Sequence, residues 1–370
     1  MTRYWMLPDD VTELLPQENR QFERLRRVVH DSIAAWGYAF VQPPLVEFLD
    51  SLLAGSGSGL DGQTYKITDQ ASGRLMGVRA DMTPQIARID AHRLPTRGES
   101  RYAYIGEVLR ARSESTEPRR NTWVAGAELY GVAEVGGDIE IMALLLATLE
   151  DAGVKDAVLD IGHAGIYAGL VGSYALSAAD RAVLHDILRG NRRPDLQQWQ
   201  AQSALDDDFL ADVRFLTEPR GQAGALDAFA ARFAGRHAQL DRAIADMTMA
   251  AQRLRAFFPG QRVMVDFASV GQYGYHSGLM FACYVPGLYS AIARGGRYDG
   301  IGEAYGRSRP ATGFSLDLLD LAAISAGNGD APVAFVQEMA QDGASFQAAQ
   351  EKRRRGDIIR FRHYAQGEQD

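Results

Sequence analysis

Residues 165 to 257 read as helix after helix, and the stretches on either side read as strands that return on themselves. This grouping is the tightest constraint on the fold. Alternating strands and helices would build a parallel sheet, whereas helices gathered into one block leave the strands to pair as hairpins. The expectation is an α+β protein with an antiparallel sheet flanked by helices and a helical insertion at about 165–257. Within the insertion, Ser177 and Asp180 read as a cap on "AADRAVLHDIL". Leu240, Ile244, Met247 and Leu254 form a core stripe on its last helix.

Ahead of the insertion, Phe22, Leu25, Val29, Ile33 and Trp36 recur at spacings of three and four, which makes 17–36 an amphipathic helix ended by Gly37. "YAFVQPPLVEF" reads as a strand. Pro43 and Pro44 cannot donate to a ladder, so it belongs at an edge or an interface. "TYKITDQASGRLMGVRADMTPQ" reads as a hairpin turning at Ser72-Gly73, then a helix entered at Thr83-Pro84. "RYAYIGEVLRAR" and "TWVAGAELYGV" are strands joined by the polar "SESTEPRRN". "GDIEIMALLLATLEDAG" is a helix and "AVLDIGH" a strand. After the insertion come "RVMVDFASVG", "GLMFACYV", a Pro286-Gly287 turn, "LYSAIARGG" and a helix near 315–326. "GNGDAP" reads as a linker. The expected units are 1–325 and a short α/β remnant, 326–370, read as strand, helix, strand and too small for an ordinary independent domain.

With 370 residues, 46% of them apolar, the chain can fill a sizeable core. Its 39 basic and 47 acidic residues leave −8, which argues against binding that rests on phosphate neutralisation. The single cysteine, Cys283, can form no internal disulfide, and the seven histidines lack metal-ligand spacing. No apolar run suits a membrane span, no signal peptide is expected, and no dinucleotide or P-loop box occurs. A soluble cytoplasmic protein without metal or cofactor is expected.

In "ARGGRYDG", Arg294, Gly295, Gly296 and Arg297 suit an anion, because glycine lets backbone approach and arginine offers a planar fork. A strand end with a glycine turn is the plainer reading. Arg110 and Arg112 are expected on one side of a strand. Glu128 lies inside an apolar strand, where a carboxylate is costly unless paired; an arginine on the neighbouring strand is the expected partner. Asp81 either favours a helix dipole or receives a ligand's ammonium group. His276 reads as a packed strand histidine, and Lys352 to Arg355 as a solvated helix face.

Taken in order, "AAWGYAFVQPPLVEF", the strands bearing Arg110 and Glu128, and "ARGGRYDG…PATGF" resemble motifs 1, 2 and 3 of a class II aminoacyl-tRNA synthetase catalytic domain of the histidyl type, over about residues 5–325. "RADMTPQIARI" and "LDIGHAGIY" are closer to a non-synthetase relative, the regulatory subunits of ATP phosphoribosyltransferase. The resemblance implies a non-catalytic subunit of the first step of histidine biosynthesis, with no catalytic residues of its own. Its implied partners are a short-form catalytic subunit, L-histidine as feedback effector, and a second copy through the motif 1 region, with no tRNA and no membrane. It also implies a histidine pocket at Asp81, Thr83, Arg110, Glu128, Tyr275 and His276, with Val124 where synthetases have glutamine. Arg294 to Arg297 become a relic nucleotide loop. The synthetase's activating arginine falls at Gly271, and its motif 3 glutamate-arginine pair falls at Leu319 and Asp320. Each missing donor would cost about 3–4 kcal/mol of transition-state stabilisation. The alternatives are a histidyl-tRNA synthetase or other adenylating paralogue, and a stand-alone histidine-binding protein.

Overall fold

An eight-stranded sheet organises the computed structural model, which describes residues 6–55, 57–112, 119–189, 193–202, 205–218, 224–269, 276–325, 336–338, 343–355 and 359–361. The strands are β1 (Ala39–Phe40), β5 (Ser100–Leu109), β6 (Asn121–Tyr130), β7 (Val158–His163), β8 (Arg262–Val265), β9 (Leu279–Tyr284), β10 (Ala293–Arg297) and β11 (Ala311–Asp317). Their order is β1-β5-β6-β11-β10-β9-β7-β8. The five inner pairings are antiparallel, while both edge pairings, β1 with β5 and β7 with β8, are parallel. The expected antiparallel sheet is therefore a mixed one, because its edge strands are reached through connections long enough to cross over.

β2 (Val46–Phe48), β3 (Tyr65–Thr68) and β4 (Leu75–Val78) form a separate antiparallel sheet. "YAFVQPPLVEF" is thus split: β1 borders the large sheet and β2 joins the small one. The two prolines lie between them. Having no N–H, they offer only carbonyls, which accept from Arg79 at 2.8 Å and Gln85 at 2.8 Å. The β3–β4 turn has Gly73 at φ 69°, with its N–H on Asp69 O.

The back face of the sheet carries the main core. Rows such as Ala127, Phe314, Gly295, Phe281 and Ile161 follow from the register. The helices Pro16–Ala35 and Val135–Asp151 and the insertion helices, from Ala164–Ser173 to Ala238–Phe257, share this core. The first helix buries Phe22, Leu25, Val29 and Ile33, worth about 1.5–3 kcal/mol each. Trp36 departs from the expected stripe: it caps the helix and is 39% exposed. Gly37, at φ 82°, ends the helix in the left-handed conformation. Ser177 caps as expected, accepting from Asp180 N at 3.1 Å and donating to Asp180 Oδ2 at 2.6 Å. On the front face, the helix Thr83–His92 covers a tyrosine-rich cluster of Tyr102, Tyr104 and Tyr130 with Met82 and Ile86.

The chain divides into two compact units, Met1–Ser325 and Ala326–Asp370. In the second, β12 (Val336–Glu338) pairs in parallel with β13 (Ile359–Phe361), and the helix Gly343–Arg354 joins them in sequence.

Candidate functional site

The front face opens into a cavity of about 420 Å³. Two rows of the sheet form its floor. One runs Glu128, Gly313, Gly296, Met280, Gly162, and the next runs Gly126, Ser315, Arg294, Ala282, Asp160. Glycines in the first row keep the floor low. A Cβ on Gly313 would collide with Glu128 Oε2, and one on Gly296 would lie 2.6 Å from Leu279 O and 2.8 Å from His276 Cδ2.

At one end stand Asp81, Thr83 and Glu128. Asp81 precedes the helix Thr83–His92, and its Oδ1 accepts from Met82 N at 2.6 Å and Thr83 N at 3.3 Å. It therefore holds N–H groups at the helix entrance, one residue before the N-cap Met82, and lines the cavity at once. Burial raises its pKa, opposed by the two backbone N–H groups and by Arg110. Glu128 is 1% exposed. Its Oε1 accepts from Thr83 Oγ1 at 2.9 Å and Tyr104 OH at 3.4 Å, and its Oε2 has no hydrogen-bond partner among the described residues. The arginine expected beside Glu128 is absent from these contacts, because Arg110 lies beyond the end of β5 and acts on Asp81 instead. Burial holds the Glu128 carboxyl well above the usual range, and Asp81 adds to the shift.

The arginines divide differently from the expectation. Arg110 bridges to Thr64 past the strand end, and Arg112 lies in an exposed bend rather than on the strand. The segment Arg294 to Arg297 is no loop. It is β10, hydrogen-bonded on both sides by β9 and β11. Strand alternation then sends Arg294 to the cavity face and Arg297 to the back. Arg297 is 2% exposed and pairs with Asp138, through Nη2 at 2.8 Å and Nε at 3.0 Å. It also donates to the carbonyls of Val132 and Glu134. It is a structural cation with no access to a ligand. Arg119, on the far side of "SESTEP", pairs with Asp320 at 2.8 Å, and Asp317 lies 3.9 Å away. Asp320 stands where the synthetase resemblance places a phosphate-binding arginine, and here it is held in an internal ion pair.

His276 lies just before β9 and lines the cavity. Burial pushes its ring down to about 4, which keeps it neutral. Tyr275 and Gly271 fall outside the described residues. Several lining groups escaped the sequence reading: Arg119, Asp317 and, at the opposite end, Asp160 and Asp266. Asp160 is pushed up to about 7 by burial and by the charge of Asp266. The signal was present in "AVLDIGH", an acid inside an apolar strand, the same pattern that singled out Glu128.

A family profile described as histidyl-tRNA synthetase matches residues 10–321. The ATP phosphoribosyltransferase regulatory subunit of Polynucleobacter asymbioticus is 43% identical over 355 residues, covering 96% of this chain and 91% of that protein. That of Pseudomonas aeruginosa is 42% identical over 355 residues, covering 96% and 90%. A Bacillus halodurans protein, described as an ATP phosphoribosyltransferase regulatory subunit/histidyl-tRNA synthetase, superposes with a TM-score of 0.87 at 24% identity, over 100% of this chain and 95% of that one. Histidyl-tRNA synthetase from Nostoc gives 0.79 at 16% identity, over 98% and 86%. These two structures establish the fold, and the curated relatives establish more: this chain belongs to the regulatory subunits of ATP phosphoribosyltransferase, built on the histidyl-tRNA synthetase fold.

Proposed function

We propose that the chain joins a short-form catalytic subunit of ATP phosphoribosyltransferase, makes it active, and relays inhibition by L-histidine bound in the front-face cavity. The observation that carries this is the division of the cavity. Asp81, Thr83 and Glu128 remain open to an amino acid. Where the resemblance places a phosphate-binding arginine, by contrast, stands Asp320, an acid paired with Arg119. Amino acid recognition can persist there without adenylation. The candidate histidine set is Asp81, Thr83, Arg110, Glu128 and His276, with Tyr275 assigned by resemblance alone. Arg297, locked behind the sheet, leaves that set of relic groups.

Relay of a signal requires that histidine bind one state of the complex more tightly than another. A second copy would pack through the motif 1 region, where β1 forms the sheet edge and Trp36 and Leu45 are exposed. Among the described residues no helix is long and apolar enough to cross a membrane. The test mixes this chain with a purified short-form catalytic subunit and follows phosphoribosyl-ATP formation with and without histidine. The expected result is activity and histidine sensitivity that the catalytic subunit alone lacks. Equal rate and equal sensitivity without this chain would overturn the reading.

A further inference from the structure

We propose that Arg294 receives the α-carboxylate of the ligand and so lets the cavity tell an amino acid from the corresponding amine. The inference rests on the reading that the cavity binds histidine, and it names the group that selects histidine over its decarboxylated counterpart.

An amino acid brings an anion into a cavity lined by acids. Asp81 and Glu128 stand at one end, Asp160 and Asp266 at the other. A carboxylate between them is repelled unless a cation takes it up. Three arginines line the space: Arg110, Arg119 and Arg294. Two of them are committed. Arg110 lies past the end of β5, and its charge acts on Asp81. Arg119 pairs with Asp320 at 2.8 Å and has Asp317 at 3.9 Å. His276 adds no charge, because burial keeps its ring neutral. Arg294 remains, with no hydrogen bond, ion pair or ring contact among the described residues.

The fold puts this arginine where a ligand can use it. β10 runs inside the sheet between β9 and β11, so Arg294 stands on the cavity floor rather than at the sheet edge. Its cross-strand neighbours are Ser315 and Ala282, and two residues away along the chain lie Gly296 and Ile292. None of the four carries a charge. Gly296 and Gly313 keep the floor low between Arg294 and Glu128. β10 is two strands from β6, and Arg294 lies one row further on, so strand spacing sets the two Cα atoms about 12 Å apart. An amino acid of histidine's size and an extended arginine fill that gap between them. The planar fork of a guanidinium matches the two oxygens of a carboxylate. The ligand's carboxylate then points toward β10, and the rest of it toward Asp81 and Glu128.

The test is calorimetric titration of L-histidine and of histamine into the full chain at about pH 7.5, where both carry an ammonium group and a neutral ring. The wild type should bind histidine about tenfold more tightly than histamine. That is the low end for a charged hydrogen bond, because Arg294 is exposed to solvent. In Arg294→Ala, histidine should weaken about tenfold and histamine by less than about twofold, so that the two affinities converge. Arg294→Lys, which keeps the charge without the fork, should restore part of the difference. Melting curves establish that the variants are folded. An equal loss for both ligands in Arg294→Ala, the mark of a merely structural role, would overturn the proposal. A difference that survives in Arg294→Ala would overturn it too, and its loss in Arg110→Ala would then give the carboxylate to Arg110. A wild type that binds histidine no better than histamine overturns the proposal alone, whereas one that binds neither overturns the histidine reading with it.

Discussion

Asp138 and Glu128 are buried acids on opposite faces of one sheet, and their surroundings have almost nothing in common. Asp138, on the helix Val135–Asp151, receives two hydrogen bonds from Arg297 across the back of β10. Both partners are at most 3% exposed as side chains, and the back face around them is packed core. Glu128, on the front, is as deeply buried, yet its donors are two hydroxyl groups and no cation; at both acids one oxygen has no hydrogen-bond partner among the described residues. Both carboxyls are raised, foremost by burial, and only at Asp138 does an arginine offset it. A buried carboxyl clamped by an arginine has a structural task, while one held by hydroxyl groups alone in a cavity wall is the candidate for a ligand.

Breaking the back-face pair should have the largest effect on stability. Arg297→Ala leaves Asp138 buried without its cation, and urea unfolding should register a loss of about 3–5 kcal/mol. A stable Arg297→Ala that had instead lost histidine sensitivity would break the comparison, since Arg297 would then belong to the ligand side.

On the front face, Asp81→Ala should act on binding more than on folding. Charged hydrogen bonds are worth about 1.5–3 kcal/mol, so the histidine concentration for half-inhibition of the complex should rise roughly ten- to a hundredfold. Loss of its hydrogen bonds to the Met82 and Thr83 N–H groups should lower stability by about 1 kcal/mol. Uninhibited activity of the complex should persist. Melting curves beside inhibition curves for Asp81→Ala and Asp81→Asn measure the two effects separately. Unchanged half-inhibition in a folded, assembled variant would reduce Asp81 to its hydrogen bonds at the helix entrance.

The smallest effect is expected at the Arg119–Asp320 pair. Arg119 and Asp320 are 28% and 19% exposed, so solvent screens their pair. Arg119→Ala should cost only about 0.2–1 kcal/mol by denaturation and leave histidine affinity unchanged. A marked loss of histidine affinity in Arg119→Ala would show that the two ends of the cavity act as one.

Much of the scaffold was legible in the residues. The stripe of Phe22, Leu25, Val29 and Ile33 announces a helix with one buried face, and it is buried. Ser72-Gly73 turns a hairpin, Thr83-Pro84 opens a helix, and Ser177 caps one, because each depends on chemistry within a few residues. The same local logic flagged Glu128 and Asp81 as unusual. It failed on partnership. Nothing near Glu128 in the chain shows that Thr83, forty-five positions earlier, reaches it, or that Arg110 turns to Asp81. It also failed at "ARGGRYDG", where two arginines three residues apart resemble one cradle until the strand is seen to run through both.

What the sequence determined by itself, then, is the class of fold, the helical insertion, the family and Glu128 as an acid out of place in an apolar strand. These follow from periodicity, turn chemistry and residue order, which are local properties of the chain. The tertiary structure alone decided which charges meet. Register places Arg294 in front and Arg297 behind, since neighbouring strand positions face opposite ways. Crossings between distant segments set Asp320 against Arg119 and leave Glu128 Oε2 without a hydrogen-bond partner among the described residues. Electrostatic pairing depends on distance in space and on exclusion of water, and neither is written in the spacing of residues along the chain.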